Sequence, residues 1–263
     1  MKTIAVISSV GGAGRTTLTA TLAGLLMARK HATLAVECDP SNVLALYCGL
    51  RVPAREGLAS YAWVPSDYAP GAALQSDDGV LWLPWGDAGL GEAQVAAVMT
   101  ALKEQPHWLR DFLVRVDLPG HGVVLVDAAT WPSIHAAQAI DAADLVLVIV
   151  PPQPLACATL PRLRAALASR GKQALYVANA VSPAQQLHTD ILAMLRHTLG
   201  EELSAYRIHA DTGIPEAVAR NQNFQLSAPH SQAAHDMQGL ASWLSSWVTQ
   251  ASKSSGVRAG GVP

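Results

Sequence analysis

The stretch TIAVISSVGGAGRTT at residues 3–17 decides how this chain folds. Its opening run, Ile4–Ile7, is short, apolar and rich in β-branched side chains, which is typical of a buried strand. A glycine-rich turn follows at residues 11–14, and a helical pattern begins near Thr16. In this order of strand, turn and helix, backbone N–H groups and the positive end of the helix dipole surround an anion. The stretch therefore predicts a phosphate-binding loop.

The residues that we expect to line this loop are Gly11, Gly12, Ala13, Gly14, Arg15, Thr16 and Thr17. Thr16 stands where a phosphate loop places the hydroxyl that ligates Mg²⁺. Arg15 replaces the lysine of the strict pattern G-x-x-x-x-G-K-[ST]. Arginine keeps the charge and can bind phosphate bidentately, but it is bulkier and less mobile than lysine. The alternative is a glycine-rich turn that only packs the helix on the strand.

Apolar runs alternate with helical patterns along the rest of the chain. We expect strands at Thr33–Val36, Leu81–Pro84, Val123–Val126, Leu145–Val150 and Leu175–Ala178, and helices at 16–29, 41–47 and 89–104. This alternation predicts an α/β fold, a doubly wound and mostly parallel sheet with helices on both faces. We expect one domain over residues 1–250, with a long surface connection at 51–78 and a disordered tail at 251–263.

The composition excludes several classes of protein. Half of the 263 residues (50%) are hydrophobic and 14% are charged, against about 25% in an average soluble domain, so the chain is not intrinsically disordered. The formal net charge is −2, so general electrostatic binding of nucleic acid is not expected. The low charge fits either buried partner interfaces or an alanine-rich, high-GC genome.

The cysteines and the apolar runs indicate in which cellular compartment the protein lies. Cys38, Cys48 and Cys157 suit neither a disulfide framework nor a zinc site. No secretory leader opens the chain, and the longest apolar run, Leu145–Val150, is too short to span a bilayer. We expect a cytoplasmic protein with reduced thiols.

Polar side chains stand at the ends of three predicted strands, where ligands of parallel sheets bind. Glu37 and Asp39 follow the second strand, Asp127 ends the strand at 123–126, and Asn179 ends the strand at 175–178. An aspartate at the position of Asp127 would hold Mg²⁺ through a water, or else cap the next turn. Asp39 alternatively caps a helix before Pro40, and Asn179 alternatively forms a turn.

The loop residues Val10–Thr17, VGGAGRTT, resemble the deviant Walker A box of the MinD/ParA class of ATPases, K-G-G-x-G-K-[ST]-[ST]. The resemblance implies binding of ATP and Mg²⁺, with Thr16 and Asp127 at the metal. The first lysine of that box reaches the partner subunit's nucleotide, and its position here is Val10. The second contacts the β- and γ-phosphates, and its position is Arg15. The resemblance therefore implies nucleotide binding and at most a slow, Mg²⁺-dependent ATPase.

The same resemblance suggests roles for the residues at the strand ends. The class carries D-x-D-P after its second strand, where the carboxylates position the attacking water and support Mg²⁺, and Glu37 and Asp39 occupy these positions. Glutamate for aspartate moves the first carboxylate by one methylene, a shift that matters for in-line attack. Asn179 stands where the class reads the adenine edge, and 207–217 is a second candidate wall of the base pocket.

Further motifs resemble one branch of the class, the cellulose-biosynthesis accessory proteins of the BcsQ (YhjQ) family. Asp39–Leu44 resembles its D-P-x-N-x-L run, Leu83–Gly86 its L-P-F-G run, and Ile208–Asp211 its C-terminal pattern. This resemblance, over nearly the whole chain, implies a cytoplasmic, nucleotide-dependent homodimer that supports cellulose synthesis and secretion. The implied partners are a small accessory protein and the cytoplasmic part of the inner-membrane cellulose synthase complex.

Other interpretations stay open. An active ParA/MinD-type ATPase would position or partition a cellular cargo, and a nucleotide-free interaction scaffold would leave the carboxylates idle. Direct membrane insertion is not expected, because the chain after Trp247 has too little charge and apolar bulk. Nucleic acid is not expected either, because the modest group Arg162, Arg164 and Arg170 fits a solvated helix face. His209 fits a surface-loop histidine.

Overall fold

The computed structural model describes residues 1–63, 73–119 and 121–259. Within these residues one sheet contains the strands β1 (Lys2–Ile7), β2 (Thr33–Cys38), β3 (Leu74–Gln75), β4 (Leu81–Leu83), β5 (Val123–Ala128), β6 (Leu145–Val150) and β7 (Ala174–Ala178). The helices are α1 (Arg15–Ala28), α2 (Leu58–Trp63), α3 (Glu92–Glu104), α4 (Trp108–Val114), α5 (Ile134–Ala142), α6 (Pro154–Ala168), α7 (Gln186–Leu199), α8 (Gly213–Ala219), α9 (Phe224–Ser227) and α10 (Gln232–Ala259). Short 3₁₀ helices lie at Leu44–Cys48 and Gly200–Glu202.

The strand order is β3-β4-β2-β5-β1-β6-β7, and β1 lies between β5 and β6. All pairings are parallel except that of the short edge strand β3 with β4. Asp127 of β5 is in register with Val6 of β1 on one side and with Glu37 of β2 on the other. The phosphate loop therefore leaves β1 beside the acidic ends of β5 and β2.

Helices cover both faces of the sheet. Every residue of β5 and β6 is buried, although successive side chains of a strand point to opposite faces. Helices α1 and α5 both pack against β1, β2 and β5. The predicted α/β class with a mostly parallel sheet is confirmed.

The helix predicted at 41–47 is wrong in position and type, because the structure has a 3₁₀ helix at Leu44–Cys48 instead. Asn42 has a positive φ of 53°, which an α-helix cannot accommodate. The N–H groups of Val43 and Leu44 both donate to Oε1 of Glu37, so a side chain of β2 shapes this turn. The helix predicted at 89–104 begins later, at Glu92.

The surface connection predicted at 51–78 is wrong at α2, although 51–53 and 73–78 are exposed or half-buried. Leu58 and Ala59 of α2 are fully buried, and their N–H groups donate to the carbonyls of Pro84 and Trp85. Helix α2 is only six residues long, so it leaves too little periodicity to be read from the sequence. Residues 64–72 of the predicted connection lie outside the described residues.

Helix α10 packs along α1 and ties the end of the chain to the sheet. Arg29 Nη2 donates to the carbonyl of Gln238, and His31 Nε2 hydrogen-bonds Ser245 Oγ at 2.7 Å. The structure describes α10 as far as Ala259, through a stretch where the sequence predicted a disordered tail from residue 251. None of the described helices is both long and apolar enough to cross a membrane.

Candidate functional site

The phosphate loop joins the end of β1 to the start of α1. Gly12 and Gly14 have φ values of 67° and 89°, in the left-handed region where a side chain costs about 1–2 kcal/mol. Gly14 immediately precedes α1, and a Cβ at this position would collide with Nδ2 of Asn179. Residue 14 therefore has to be glycine for its backbone conformation and for the close approach of Asn179.

Asn179 holds the loop from the β7 side of the sheet. Its Nδ2 donates to the carbonyl of Ala13 at 2.7 Å, and its backbone N–H donates to the carbonyl of Val150. The amide thus reaches the phosphate loop across 166 residues of sequence. Asn179 directly follows β7, as the sequence predicted, and its role at the adenine edge stays a prediction.

A cavity of about 390 Å³ opens beside the loop. Gly12 and Asn179 line one part of it, and His209, Asp211 and Pro215 line another. The lining residues at 209–212, 214 and 215 fall within the segment 207–217, which the sequence suggested as a second wall of a base pocket.

His209 is not the free surface histidine that its context suggested. Its Nδ1 lies 2.7 Å from Oδ2 of Asp236, and its backbone N–H donates to the same oxygen at 3.0 Å. Because Asp236 belongs to α10, this pair fastens the cavity wall to the C-terminal helix.

Arg15 begins α1, and its guanidinium bridges three segments of the chain. Nη1 donates to Thr130 Oγ1 at 2.8 Å and to the carbonyl of Val10 at 3.3 Å. Nη2 lies 3.4 Å from Oδ2 of Asp39. Contacts with the protein therefore hold the arginine side chain beside the loop. The lysine of the strict pattern has a more mobile side chain.

Val10 stands at the first lysine position of the box, and its side chain is buried with 5% exposure. It belongs to the main apolar core. The position therefore points a hydrophobic side chain inward, and it offers no group to a second subunit.

Asp127, the penultimate residue of β5, has a fully buried carboxylate. Among the described residues neither of its oxygens has a hydrogen-bond partner of good geometry, although the Thr16 hydroxyl lies close enough to lower its pKa. Burial raises the pKa of Asp127 to about 8, and the charges of Glu37 and Asp39 push it in the same direction. A buried carboxylate without a partner is costly, and a cation bound beside it removes that cost.

The donor set at Asp127 fits Mg²⁺ in the manner of a phosphate loop. Mg²⁺ takes oxygen ligands, keeps several waters and is commonly held by one or two protein groups together with phosphate oxygens. Thr16 and Asp127 could supply those protein groups. In the part of the chain that the structure describes, no cluster of three or more His, Cys, Asp or Glu could hold a metal by itself.

Glu37 has both carboxylate oxygens occupied by the backbone. Oε1 accepts from the N–H groups of Val43 at 2.6 Å and Leu44 at 2.9 Å, and Oε2 accepts from that of Trp85 at 3.1 Å. The side chain is fully buried, and burial raises its pKa to about 7. This geometry favours a structural role for Glu37 over the positioning of water that the resemblance implied.

Asp39 divides its two oxygens between the turn and the arginine. Oδ1 accepts from the N–H of Ser41 at 2.9 Å, and Oδ2 faces Nη2 of Arg15 at 3.4 Å. The turn-forming role and the contact with the phosphate loop thus occur together. Of the two carboxylates expected to act on phosphate, Asp39 is the one that reaches the loop.

Two contacts of the loop were missed at the level of sequence. Thr130, the partner of Arg15, lies three residues beyond Asp127, and only this position could have drawn attention to it. The hydroxyl of Tyr47 lies 2.8 Å from that of Thr17, and no sequence signal pointed to this pair.

Residues 1–244 match the model of the protein family described as cellulose biosynthesis protein BcsQ. The chain belongs to the BcsQ family. The branch suggested by Asp39–Leu44 and Leu83–Gly86 is thereby confirmed for this BcsQ-family protein. No curated protein matches it.

Several solved structures share the fold. MinD of Pyrococcus horikoshii, solved with Mg-ADP, is 18% identical over 92% of this chain and 95% of its own, with a TM-score of 0.75. Cobyrinic acid a,c-diamide synthase of Mycobacterium smegmatis, solved with an ATP analogue and magnesium, is 18% identical over 93% and 94%, with a TM-score of 0.73. An ATP complex of Cyanothece McdA is 18% identical over 92% and 95%, with a TM-score of 0.75. At these identities the likeness shows the MinD/ParA-type P-loop fold.

Proposed function

We propose that this BcsQ-family protein is a MinD/ParA-like regulator that binds ATP and Mg²⁺, forms a nucleotide-dependent homodimer and hydrolyses ATP slowly or not at all. The observation that carries the nucleotide site is the buried carboxylate of Asp127, near the end of the strand beside β1. It lies close to the Thr16 hydroxyl and has no hydrogen-bond partner of good geometry among the described residues. Nucleotides and magnesium in the structures of the fold neighbours support the same ligands.

The residues of the chain divide the work of binding. The N–H groups of the loop and the start of α1 surround the phosphates, while Arg15 adds a fixed positive charge. Thr16 and Asp127 hold Mg²⁺, which when bound neutralises phosphate charge. Asn179 and the segment 209–215 enclose the base.

Slow hydrolysis is supported by two positions in the site. Val10 is apolar and buried, so no lysine reaches across to a partner's nucleotide. Glu37 is bonded through both oxygens to backbone N–H groups, so it does not orient a water. Asp39 alone remains near the phosphate end. Bound ATP then acts by stabilising one conformation and one assembly, since a ligand shifts populations toward the state that it binds better.

Family membership supports a role in cellulose synthesis and secretion. The protein acts from the cytoplasm and reaches the inner membrane through its partners, a small accessory protein and the cytoplasmic part of the synthase. Loss of the gene should lower cellulose output, and the wild-type chain, but not Asp127→Asn, should restore it. Restoration by Asp127→Asn would contradict a nucleotide-dependent role.

Calorimetric titration of the purified chain with ATP tests the site directly, with Mg²⁺ or with a chelator. We expect binding below the millimolar range that depends on Mg²⁺, and Asp127→Asn should remove that dependence. Asp190→Asn, an exposed carboxylate on α7, is the matched control and should bind like wild type. No binding by wild type would leave the nucleotide-free scaffold as the function, and phosphate release stimulated many-fold by DNA, lipid or a partner would favour the active ATPase.

A further inference from the structure

The guanidinium of Arg15 is held firmly at Nη1, more loosely at Nη2, and has no acceptor at Nε among the described residues. Its Nη1 donates to Thr130 Oγ1 and to the carbonyl of Val10, at 2.8 and 3.3 Å. Its Nη2 has one long contact, 3.4 Å to Asp39. Its Nε is buried, and no acceptor for it exists among the described residues. The side chain as a whole is only 11% exposed.

The protein does not use all the donors of the guanidinium. Arginine carries five N–H donors in a rigid, planar fork. Nη1 makes two contacts and Nη2 makes one, so Nε and Nη2 each keep a donor without an acceptor among the described residues. Such donors suit a phosphate or carboxylate, because hydrogen bonds from a guanidinium to an anion are strong.

We infer that Thr130 is a positioning residue for Arg15: it holds the Nη1 end of the guanidinium so that the side chain keeps one orientation toward a phosphate oxygen of the nucleotide. This inference rests on the proposed function. Thr130 does not touch the nucleotide. It restricts the long arginine side chain to one orientation, and ordering a side chain before binding removes part of the entropy cost of binding.

Arg15 needs a positioning residue because it is an arginine and not a lysine. An ammonium is a compact charge on a flexible stem and turns its three donors to suit the ligand, whereas a guanidinium binds well only when its plane is correctly oriented. Val10 and Thr130 both accept from Nη1 and provide that orientation; Val10 follows β1 and Thr130 follows β5. A lysine at position 15 has no planar guanidinium to orient. We therefore expect its contact with phosphate not to depend on the Thr130 hydroxyl.

Calorimetric titration with ATP·Mg²⁺ tests this with Thr130→Val, which removes the hydroxyl at nearly constant shape. We expect affinity to fall by about tenfold, since a charge-assisted hydrogen bond is lost. Thr130→Ser should bind within about twofold of wild type, because it keeps the hydroxyl. Thr100→Val, at an exposed threonine of α3, is the matched control and should leave affinity unchanged.

The decisive measurement is the coupling between the two residues. In an Arg15→Lys background the change Thr130→Val should have no further effect on ATP affinity, because the anchored group is absent. Additive effects of the two substitutions, or wild-type affinity in Thr130→Val, would overturn the inference. Melting temperatures within about 3 °C of wild type show that each variant is folded, and Thr130→Ala replaces Thr130→Val if valine is not tolerated.

The outcomes also separate this inference from the proposed function. If the wild-type chain binds no ATP·Mg²⁺, the proposed function fails and the role of Thr130 fails with it. If the wild-type chain binds and Thr130→Val binds equally well, the nucleotide site stands and only the role of Thr130 is lost.

Discussion

Glu37 and Asp127 lie side by side, in register on the adjacent parallel strands β2 and β5, and both carboxylates are fully buried. Burial raises the pKa of Glu37 to about 7 and that of Asp127 to about 8. The charge of Glu37 contributes to the rise at Asp127. Three backbone N–H groups satisfy Glu37, whereas Asp127 has no partner of good geometry in the described part of the chain. The two neighbouring acids therefore have different roles, one structural and one open to a cation.

The first prediction concerns the pH dependence of stability without nucleotide. Between the ordinary pKa values of 4.5 and 3.8 and the raised values of about 7 and 8, the folded state binds more protons than the unfolded state. Stability is therefore lost as the pH rises through this window, with a limiting slope of about 1.4 kcal/mol per pH unit for each group. Urea unfolding at pH 5 and pH 8 measures the loss.

The Asp127→Asn variant isolates the contribution of Asp127 to this pH dependence. Its free energy of unfolding should fall less between pH 5 and pH 8 than that of wild type, whereas Asp190→Asn should follow wild type. Equal pH dependence in all three proteins would show that Asp127 ionises normally in the fold.

The second prediction concerns Glu37 as a structural acceptor. Glu37→Ala leaves the N–H groups of Val43, Leu44 and Trp85 without their acceptor, and it should lower the free energy of unfolding by about 3 kcal/mol or more. Glu37→Gln keeps one carbonyl oxygen and should cost less. Glu201→Ala, at an exposed glutamate, should change stability by at most about 0.5 kcal/mol. A stable Glu37→Ala protein that has lost only ATP hydrolysis would instead restore the catalytic role.

The third prediction concerns the first lysine position of the loop. Val10→Lys places an ammonium in the apolar core and should lower the free energy of unfolding by about 2–4 kcal/mol without raising ATP turnover. Val52→Lys is the control, because that valine is 66% exposed and should tolerate the charge. Denaturant unfolding and phosphate release measure the two effects. A stable Val10→Lys protein with faster turnover would mean that position 10 does face a partner's nucleotide.

The fourth prediction concerns the backbone of the loop. Gly14→Ala introduces a Cβ at φ 89° and against Asn179, and it should cost about 2 kcal/mol of stability. Gly11→Ala is the control within the same loop, since a Cβ there meets no atom within 4 Å. Thermal unfolding compares the two.

Combining Gly14→Ala with Asn179→Ala separates the steric cost from the conformational cost. The collision disappears in the double variant while the positive φ remains, so the penalty of Gly14→Ala should fall by roughly half in this background. An unchanged penalty would assign the whole effect to the backbone conformation.

The phosphate loop could be located from sequence because its signals are local. Apolar residues at 4–7, glycines at 11–14 and the helical pattern after them act over a few neighbouring residues. The positions of Asp39 and Asp127 were predictable for the same reason, since each directly follows or ends a recognisable apolar run. In a parallel sheet such ends meet at one edge, so their proximity to the loop followed from the fold class.

The partners of these side chains were not predictable. The resemblance suggested that Glu37 and Asp39 both act at the phosphates. The carboxylate of Glu37 instead accepts from the N–H groups of Trp85, 48 residues away, and of Val43 in the nearby turn. Nothing in the pattern of 51–63 indicated the buried α2, and nothing near Arg15 indicated Thr130.

Patterns among neighbouring residues were thus enough to predict the fold class, the phosphate loop and the acidic residues at the strand ends. The orientation of Arg15, the burial of Val10 and the lack of a well-placed partner for Asp127 among the described residues came only from the folded chain, because they depend on strand order and register. Arg15 meets Thr130 across 115 residues only because β1 and β5 are neighbours in the sheet. Contacts between segments so far apart in sequence depend on how the whole sheet is assembled, and no local periodicity encodes that assembly.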